Sequence, residues 1–181
     1  MFVTTNLNSR TSRSNLMNIT AASPAANQWR NAMTTSSPGG WSKTDIVKSY
    51  FRRVDSGDFP TEYFTADFEF YVPKFGIGRG VSSFYEMARG VQATRVHSRH
   101  HHESFRFMEA GDKVAVEGTT EGLGRDNVAW CGGKTPGGRF CSVFEFDGQS
   151  LIKRMYIYLD PDFSSADEDR FLWGQRSQVE W

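Results

Sequence analysis

Two β-rich runs near the end of the chain constrain its fold more than any other feature. They read RFCSVFEF and SLIKRMYIYLD, with Asp147, Gly148 and Gln149 between them. This pattern predicts a hairpin over residues 139–160, because glycine supplies the positive φ that a tight turn needs. A two-residue loop sets even-numbered residues of the first strand opposite odd-numbered residues of the second. One predicted face then resembles a pocket wall, being apolar with one hydroxyl and one charge: Phe140, Ser142, Phe144, Phe146, Leu151, Lys153, Met155 and Ile157.

The opposite face of this predicted hairpin is aromatic with a charged border. A surface of this kind suits contact with a second copy of the chain better than contact with water. That face carries Val143, Glu145, Arg154, Tyr156, Tyr158 and Asp160. We therefore expect a homodimer whose interface includes Val143, Tyr156 and Tyr158, bordered by Arg154 and Glu145.

Composition excludes several classes of function. The chain is long enough for one domain with a buried core. Its 21 basic and 21 acidic residues balance, which argues against the basic surface typical of nucleic-acid binding. No apolar run approaches the roughly 20 residues of a membrane span, so we expect no membrane partner. These features fit a cytoplasmic protein.

The two cysteines, Cys131 and Cys141, allow two interpretations. If the loop GGKTPGG closes a second hairpin centred on Pro136, they lie opposite each other and a disulfide is conceivable. Reduced, buried thiols fit better, because nothing else in the sequence indicates secretion.

The first part of the chain differs from the rest. Residues 1–44 contain no Asp or Glu, and 20 of them are Ser, Thr or Asn. Such a segment cannot bury enough apolar surface to offset its ordering entropy, so we expect residues 1–41 to be a disordered tail. Two alternatives are a transit peptide and a translation start at Met17 or Met33.

Helix and strand signals begin at Ser42. Ser42 and Asp45 form a capping-box variant, and Gly57 is expected to end the helix that follows. Ile46, Val47, Tyr50, Phe51 and Val54 recur in it at helical spacing. Further on, the patterns predict helices over residues 60–64, 81–94 and 164–173, and strands over residues 68–73, 101–109, 113–120 and 128–130.

This order of elements predicts an α+β architecture. We expect a cone-shaped, curved antiparallel sheet with the N-terminal helices packed on its concave side. The domain would span residues 42–163, followed by a C-terminal extension over residues 164–181 that includes the short helix.

Several short motifs carry a resemblance to a known family. They are YFRRVDSGD at residues 50–58, FTADFEFYVP at 64–73, GRG at 78–80, GTTEG at 118–122 and PGGR at 136–139. Together with the final hairpin they resemble the nuclear transport factor 2-like superfamily, in particular its SnoaL-like polyketide cyclase and ketosteroid isomerase branches. The resemblance implies a cystatin-like α+β roll with an apolar pocket and no cofactor.

The catalytic positions of these branches can be compared with this sequence. The isomerase requires a carboxylate base and an oxyanion hole of one Tyr and one protonated Asp, which is a worked case of pKa tuning. By resemblance the Tyr corresponds to Tyr50, the base to Val72 and the Asp to Ser142. The acid/base Asp of SnoaL-like cyclases corresponds to Ile157. The resemblance therefore implies binding without the carboxylates that the known mechanisms use.

A run of histidines offers the one acid/base group that titrates near neutral pH. If Glu103, Phe105 and Phe107 face the core of a strand, then His101 does as well. A bulge would select His100 or His102 instead. In a strand these ligands do not converge, so we expect no metal site.

We expect the pocket to bind a small hydrophobic molecule and to support proton transfer, as in isomerisation, cyclisation or dehydration. The predicted catalytic residues are Tyr50, His101 and Ser142. Trp130 is expected beside Ser142, as a pocket floor or as a core residue. The alternative is a non-catalytic binding or dimerisation module. The predicted lining residues are Phe64, Phe70, Val72, Tyr85, Trp130, Met155 and Ile157.

Overall fold

A computed structural model describes residues 40–73, 75–135 and 137–159 of the protein. Three predicted parts lie outside the described residues: residues 1–39 of the tail predicted over 1–41, the end of the domain after Leu159, and the helix predicted over residues 164–173. Among the described residues, neither helix combines the length and apolarity needed to cross a membrane.

Helix α1, Lys43–Asp55, forms as the sequence predicts. The Ser42 hydroxyl accepts a hydrogen bond from the Asp45 amide at 3.1 Å, and the Asp45 carboxylate accepts one from the Ser42 amide at 3.2 Å. This reciprocal pair satisfies two amides that the first turn leaves unbonded. The helix buries one apolar stripe, consisting of Ile46, Val47, Tyr50 and Phe51.

Within the described ranges the sheet has eight strands, and its long central strand has two neighbours along each edge. The strand order is β2-β1-β8-β7-β5-β3, with β4 and β6 also paired to β5. The first strand and the last are parallel, so the sheet is mixed rather than wholly antiparallel. The strands are β1 Phe64–Val72, β2 Gly76–Arg79, β3 Arg95–His100, β4 Arg106–Ala110, β5 Lys113–Gly124, β6 Ala129–Cys131, β7 Arg139–Phe146 and β8 Ile152–Leu159.

The remaining elements are a second helix and two short turns of 3₁₀ helix. Helix α2, Val81–Ala93, matches its prediction closely. The turn Thr61–Tyr63 replaces the short helix predicted at residues 60–64. The turn His102–Ser104 occupies the start of the strand predicted over residues 101–109, so only β4 remains of that strand. Strand β3, just before the turn, was not predicted.

Both helices pack on one face of the curved sheet, which we call the inner face. Phe51 of α1 contacts Phe105, Phe140 and Phe144, and Phe84 of α2 contacts β1. The core consists mainly of aromatic rings. Its least exposed members are Val47, Phe68, Val114, Val116, Phe144 and Ile152.

The final hairpin forms, but its loop differs from the prediction. The Asp147 carboxylate accepts hydrogen bonds from the amides of Gln149 and Leu151, each at 2.8 Å, and the residue with positive φ is Ser150 rather than Gly148. The loop is therefore one residue longer than expected. A register shift next to the loop then restores the expected pairing of odd-numbered with even-numbered residues, so Glu145 lies opposite Arg154.

The same register shift moves Lys153. We expected this residue on the apolar face, and that expectation is wrong. Ile152 pairs with Phe146 and is buried, whereas the Lys153 amine lies 3.0 Å from the Glu145 carboxylate on the outer face. The extra residue that a β-bulge inserts reverses the alternation of faces locally.

The predicted hairpin centred on Pro136 does not form. Strand β6 pairs with β5, where Cys131 lies opposite Glu121 and Trp130 opposite Gly122. Because β7 also pairs with β5, Cys141 lies opposite Glu117, and both cysteines are free thiols. The disulfide alternative is therefore wrong.

Trp130 and Ser142 are not neighbours either, contrary to the expectation. Ser142 lies opposite Val116, and Trp130 lies opposite Gly122 of the same strand. At the usual rise per residue these two points of β5 are about 20 Å apart. A single binding surface that includes both side chains is therefore excluded for a small ligand.

Candidate active site

A carboxylate held between two histidines lies where α1 meets the sheet. One oxygen of Asp55 lies 2.7 Å from His100 Nδ1, and the other lies 2.8 Å from His102 Nε2. The backbone amide of His100 also donates to Asp55, at 3.2 Å. All three side chains are partly withdrawn from solvent, with exposed fractions of 17% for Asp55, 23% for His100 and 35% for His102.

Three local structures bring this cluster together. Asp55 is the last residue of α1, and His100 is the last residue of β3. His102 opens the 3₁₀ turn that follows. A carboxylate at the C-terminus of a helix faces the negative end of the helix dipole, so it needs compensating donors. The two imidazoles and the His100 amide provide them.

Aromatic rings from three elements surround the His100 ring. Its centroid lies 4.9 Å from that of Phe51, 5.2 Å from Phe140 and 6.1 Å from Phe105. Each pair meets edge to face, which is a favourable aromatic geometry. His100 therefore points to the inner face, against an apolar wall.

The charge state of Asp55 follows from these contacts. Burial alone would raise the pKa of its carboxyl group, but the hydrogen bonds and charge of His100, with the hydrogen bond of His102, hold that pKa below its ordinary value. An ionised carboxylate can accept hydrogen bonds but cannot donate them. Neutral His100 must therefore carry its proton on Nδ1, which leaves Nε2 with a free lone pair.

No family model and no curated protein sequence matches the chain. Solved structures match it in fold. An NTF2-like protein of unknown function from Burkholderia pseudomallei K96243 has a TM-score of 0.57 and 16% identity, over 71% of this chain and 95% of that one. A candidate polyketide cyclase from Xanthomonas campestris pv. campestris has a TM-score of 0.56 and 12% identity, over 65% of this chain and 90% of that one.

A third neighbour is TerC, which was co-crystallised with polyporic acid. It has a TM-score of 0.53 and 19% identity, over 65% of this chain and 91% of that one. The domain has the NTF2-like fold. At these identities the likeness concerns the fold, and one fold carries many activities, so function must be argued from the site.

The histidine expected to face the inside of the NTF2-like domain points the other way. His101 Nδ1 lies 2.9 Å from the Thr119 hydroxyl, and its Nε2 lies 3.1 Å from the Glu121 carboxylate. The expectation assumed a continuous strand. The 3₁₀ turn at His102–Ser104 breaks the alternation, so His100 and His102 face Phe105 instead.

Two other predicted catalytic residues lie in the interior of the NTF2-like domain. Tyr50 is buried among Phe51, Phe59, Phe64 and Phe144. Burial, and secondarily the charge of Asp55, raises the pKa of its phenol, so the hydroxyl stays protonated and can donate. Ser142 is also buried, between Val116 and Ile157 in the sheet. Their roles in catalysis stay predictions.

The predicted lining residues lie in several places. Phe64, Phe70, Val72 and Met155 are packed in the core, and Ile157 lies partly buried against it. Tyr85 is exposed on α2, with its ring 5.7 Å from Phe59. Trp130 is buried at the far end of β5, where its Nε1 donates to the Thr120 hydroxyl at 3.1 Å.

Sequence reasoning missed Asp55. It lies in the run Asp55-Ser56-Gly57, which is typical of the end of a helix. One signal could have identified it: an acidic residue in the last turn of a helix opposes the dipole and needs a specific partner. The partner, His100, lies 45 residues further along the same chain, and no local pattern identifies it.

Proposed function

We propose that the NTF2-like domain binds a small, flat, hydrophobic molecule beside Phe51, Phe105 and Phe140, and transfers a proton on it through His100. The observation that carries this proposal is the 2.7 Å contact between Asp55 and His100 Nδ1. It orients the ring and leaves Nε2 as the proton acceptor. The rings of Phe51 and Phe140 beside His100 support the proposal, because a site for an apolar ligand is usually lined by aromatic side chains.

In the proposed reaction, His100 Nε2 removes a proton from a carbon next to a carbonyl group. The electron pair of that C–H bond moves towards the carbonyl oxygen, and the imidazolium returns the proton to another atom of the same molecule. Asp55 stays ionised and stabilises the imidazolium, as a carboxylate does beside an imidazole base. Isomerisation, cyclisation and dehydration all begin with a step of this kind.

This chemistry differs from the mechanism of ketosteroid isomerase. Val72 and Ile157 occupy the positions where the related enzymes carry carboxylates, and neither can accept a proton. We therefore expect no isomerisation by that mechanism. The hydroxyls of Tyr50 and Ser142 would stabilise a developing negative charge on oxygen if the bound molecule reaches them.

Deuterium exchange tests the proposal without knowledge of the natural substrate. A steroid enone is incubated with the protein in D₂O, and NMR follows deuterium incorporation next to the carbonyl. We expect the wild type to accelerate exchange and His100→Gln to reduce the enzymatic rate about 100-fold or more, because a positioned general base contributes about 10²–10⁴-fold.

His97→Gln is the matched control for that substitution. His97 lies on the same strand and is exposed, opposite Leu123. Its variant should exchange at the wild-type rate, and so should His101→Gln. Loss of exchange in His101→Gln with retention in His100→Gln would contradict the proposal, and circular dichroism would confirm that each variant is folded.

A second candidate is a non-catalytic module that assembles through its outer face. Most of the predicted lining residues are packed against other rings, which favours a core over a cavity. On the outer face, Tyr156 and Tyr158 stack with their ring planes 4° apart, and Tyr71 contacts Tyr158. We propose a homodimer through this tyrosine face, defined by Tyr71, Val143, Tyr156 and Tyr158, whether or not the domain is an enzyme.

A further inference from the structure

Three potential metal ligands converge on the side of the sheet opposite the proposed active site. They are His101 Nε2, a carboxylate oxygen of Glu121 and the thiol of Cys131, and these atoms all lie within 4.8 Å of one another. Each residue comes from a different element: the segment after β3, strand β5 and strand β6. Glu121 and Cys131 are directly opposite each other in the β5–β6 pairing.

A chain of hydrogen bonds fixes the tautomer of His101. The Ser104 hydroxyl donates to the His101 carbonyl oxygen at 2.7 Å, so its proton is already used. The Thr119 hydroxyl donates to Ser104 Oγ at 3.1 Å, so its proton is used as well. Thr119 Oγ1 therefore accepts from His101 Nδ1, at 2.9 Å. In a neutral ring, this assignment leaves the lone pair on Nε2.

That lone pair faces a second acceptor. His101 Nε2 lies 3.1 Å from a carboxylate oxygen of Glu121. The Arg99 guanidinium donates to the other oxygen of Glu121, and a carboxylate in this charged pair accepts hydrogen bonds but has no proton to donate. Two acceptors at this distance require a cation between them, which is either a proton on His101 or a metal ion.

We propose that His101, Glu121 and Cys131 bind a divalent zinc-class metal ion. Imidazole nitrogen, carboxylate oxygen and thiolate sulfur are the ligand atoms that zinc uses, and bonds of about 2.0–2.3 Å place such ligands about 3–4 Å apart. The three atoms lie within 4.8 Å of one another, so binding the ion would bring them closer by about 1 Å. Three protein ligands leave a fourth position for water.

The surroundings resemble the outer shell of a metal site. Thr119 orients His101 through the ring nitrogen that does not face the metal, which is a usual device in zinc proteins. Arg99 bonds the other oxygen of Glu121, at 2.5 Å, and so orients the carboxylate. A bound ion would fasten the segment that carries His100 and His102 to strands β5 and β6.

Zinc titration of the full chain tests this proposal. We expect one zinc per chain in isothermal titration calorimetry, with proton release as the thiol ionises. Thr119→Val should weaken binding about 10–100-fold, as is usual for the loss of an outer-shell partner. Cobalt should give a thiolate-to-cobalt absorption band, which reports directly on the cysteine.

The two cysteines of the chain provide a matched pair of variants. Cys131→Ser should remove the cobalt band and the high-affinity zinc binding, and His101→Gln should do the same. Cys141→Ser removes the other thiol, opposite Glu117, and should bind zinc as the wild type does. Thermal melts with and without zinc check folding, because an ion that binds the native state raises Tm.

Two results would overturn the metal site. One is wild-type protein that neither binds zinc more tightly than Cys131→Ser nor gives a cobalt–thiolate band, in which case a proton on His101 bridges the two acceptors. The other is loss of binding in Cys141→Ser to the same extent as in Cys131→Ser. Neither result bears on deuterium exchange by His100.

Discussion

At the residue scale, Asp55 has the largest consequence for the site. Its carboxylate joins helix α1 to the segment carrying His100 and His102. Because hydrogen bonds to a charged group contribute more than neutral ones, we expect Asp55→Asn to destabilise the domain by about 1–3 kcal/mol. The side-chain NH₂ group of the asparagine would also face an N–H donor of His100 or His102.

Asp58→Asn is the control. Asp58 lies just beyond the same helix and pairs with Arg53, but its side chain is mostly exposed. Exposed ion pairs contribute little, so the melting temperature of this variant should stay near that of the wild type. An equal drop in melting temperature in both variants would show that Asp55 contributes no more to stability than the exposed Asp58.

The same contact predicts how stability depends on pH. The pKa of Asp55 is lower in the folded protein than in the unfolded chain, so its contribution is present above the unfolded value of about 3.9. The contribution is lost as pH falls through the folded value. Urea unfolding should therefore show a gap between wild type and Asp55→Asn that is full at neutral pH and closes below about pH 4. A difference in unfolding free energy between the two proteins that stays constant with pH would contradict this prediction.

At the element scale, the sequence predicts regular segments well and irregular ones poorly. The capping box and both helices follow from local pattern. The errors lie at a turn after His101 and at a bulge near Lys153. One extra or missing residue reverses the alternation of faces beside it, and such insertions depend on contacts distant in sequence.

Strand β6 illustrates such a distant contact. It pairs with β5, and the Trp130 ring covers Gly122 so closely that a Cβ there would meet ring atoms at 2.3 Å. Gly122→Ala should therefore destabilise the domain by about 1–3 kcal/mol through overpacking. Gly148→Ala, where nothing lies within 4 Å, should leave thermal stability nearly unchanged. An unchanged melting temperature in Gly122→Ala would mean that β6 can move away from β5 at little cost in free energy.

At the scale of the whole molecule, the fold was predictable because several weak motifs occur in a fixed order. The α+β architecture and the NTF2-like fold are both confirmed. The site was less predictable. Tyr50 and Ser142 came from resemblance, whereas the pairing of Asp55 with His100 depends on how α1 crosses the sheet, which no local pattern encodes.

The proposed homodimer is tested by light scattering. The wild type should have about twice the chain mass at micromolar concentration, because the tyrosine face is apolar and lies outside the helices. Tyr158→Glu should give monomers. Tyr85→Glu changes an equally exposed tyrosine on α2 and should remain dimeric. A monomeric wild type, or dissociation by both substitutions, would be inconsistent with this interface.

The most direct measurement of the proposed site is a crystal structure with a flat aromatic ligand bound. A planar phenol is a suitable probe, because its hydroxyl can donate a hydrogen bond to a neutral imidazole nitrogen. We predict the ligand on the inner face beside Phe51 and Phe140, with an oxygen about 2.6–3.2 Å from His100 Nε2. A ligand that instead contacts His101, or that leaves His100 untouched while binding elsewhere, would contradict the assignment of His100 as the proton acceptor.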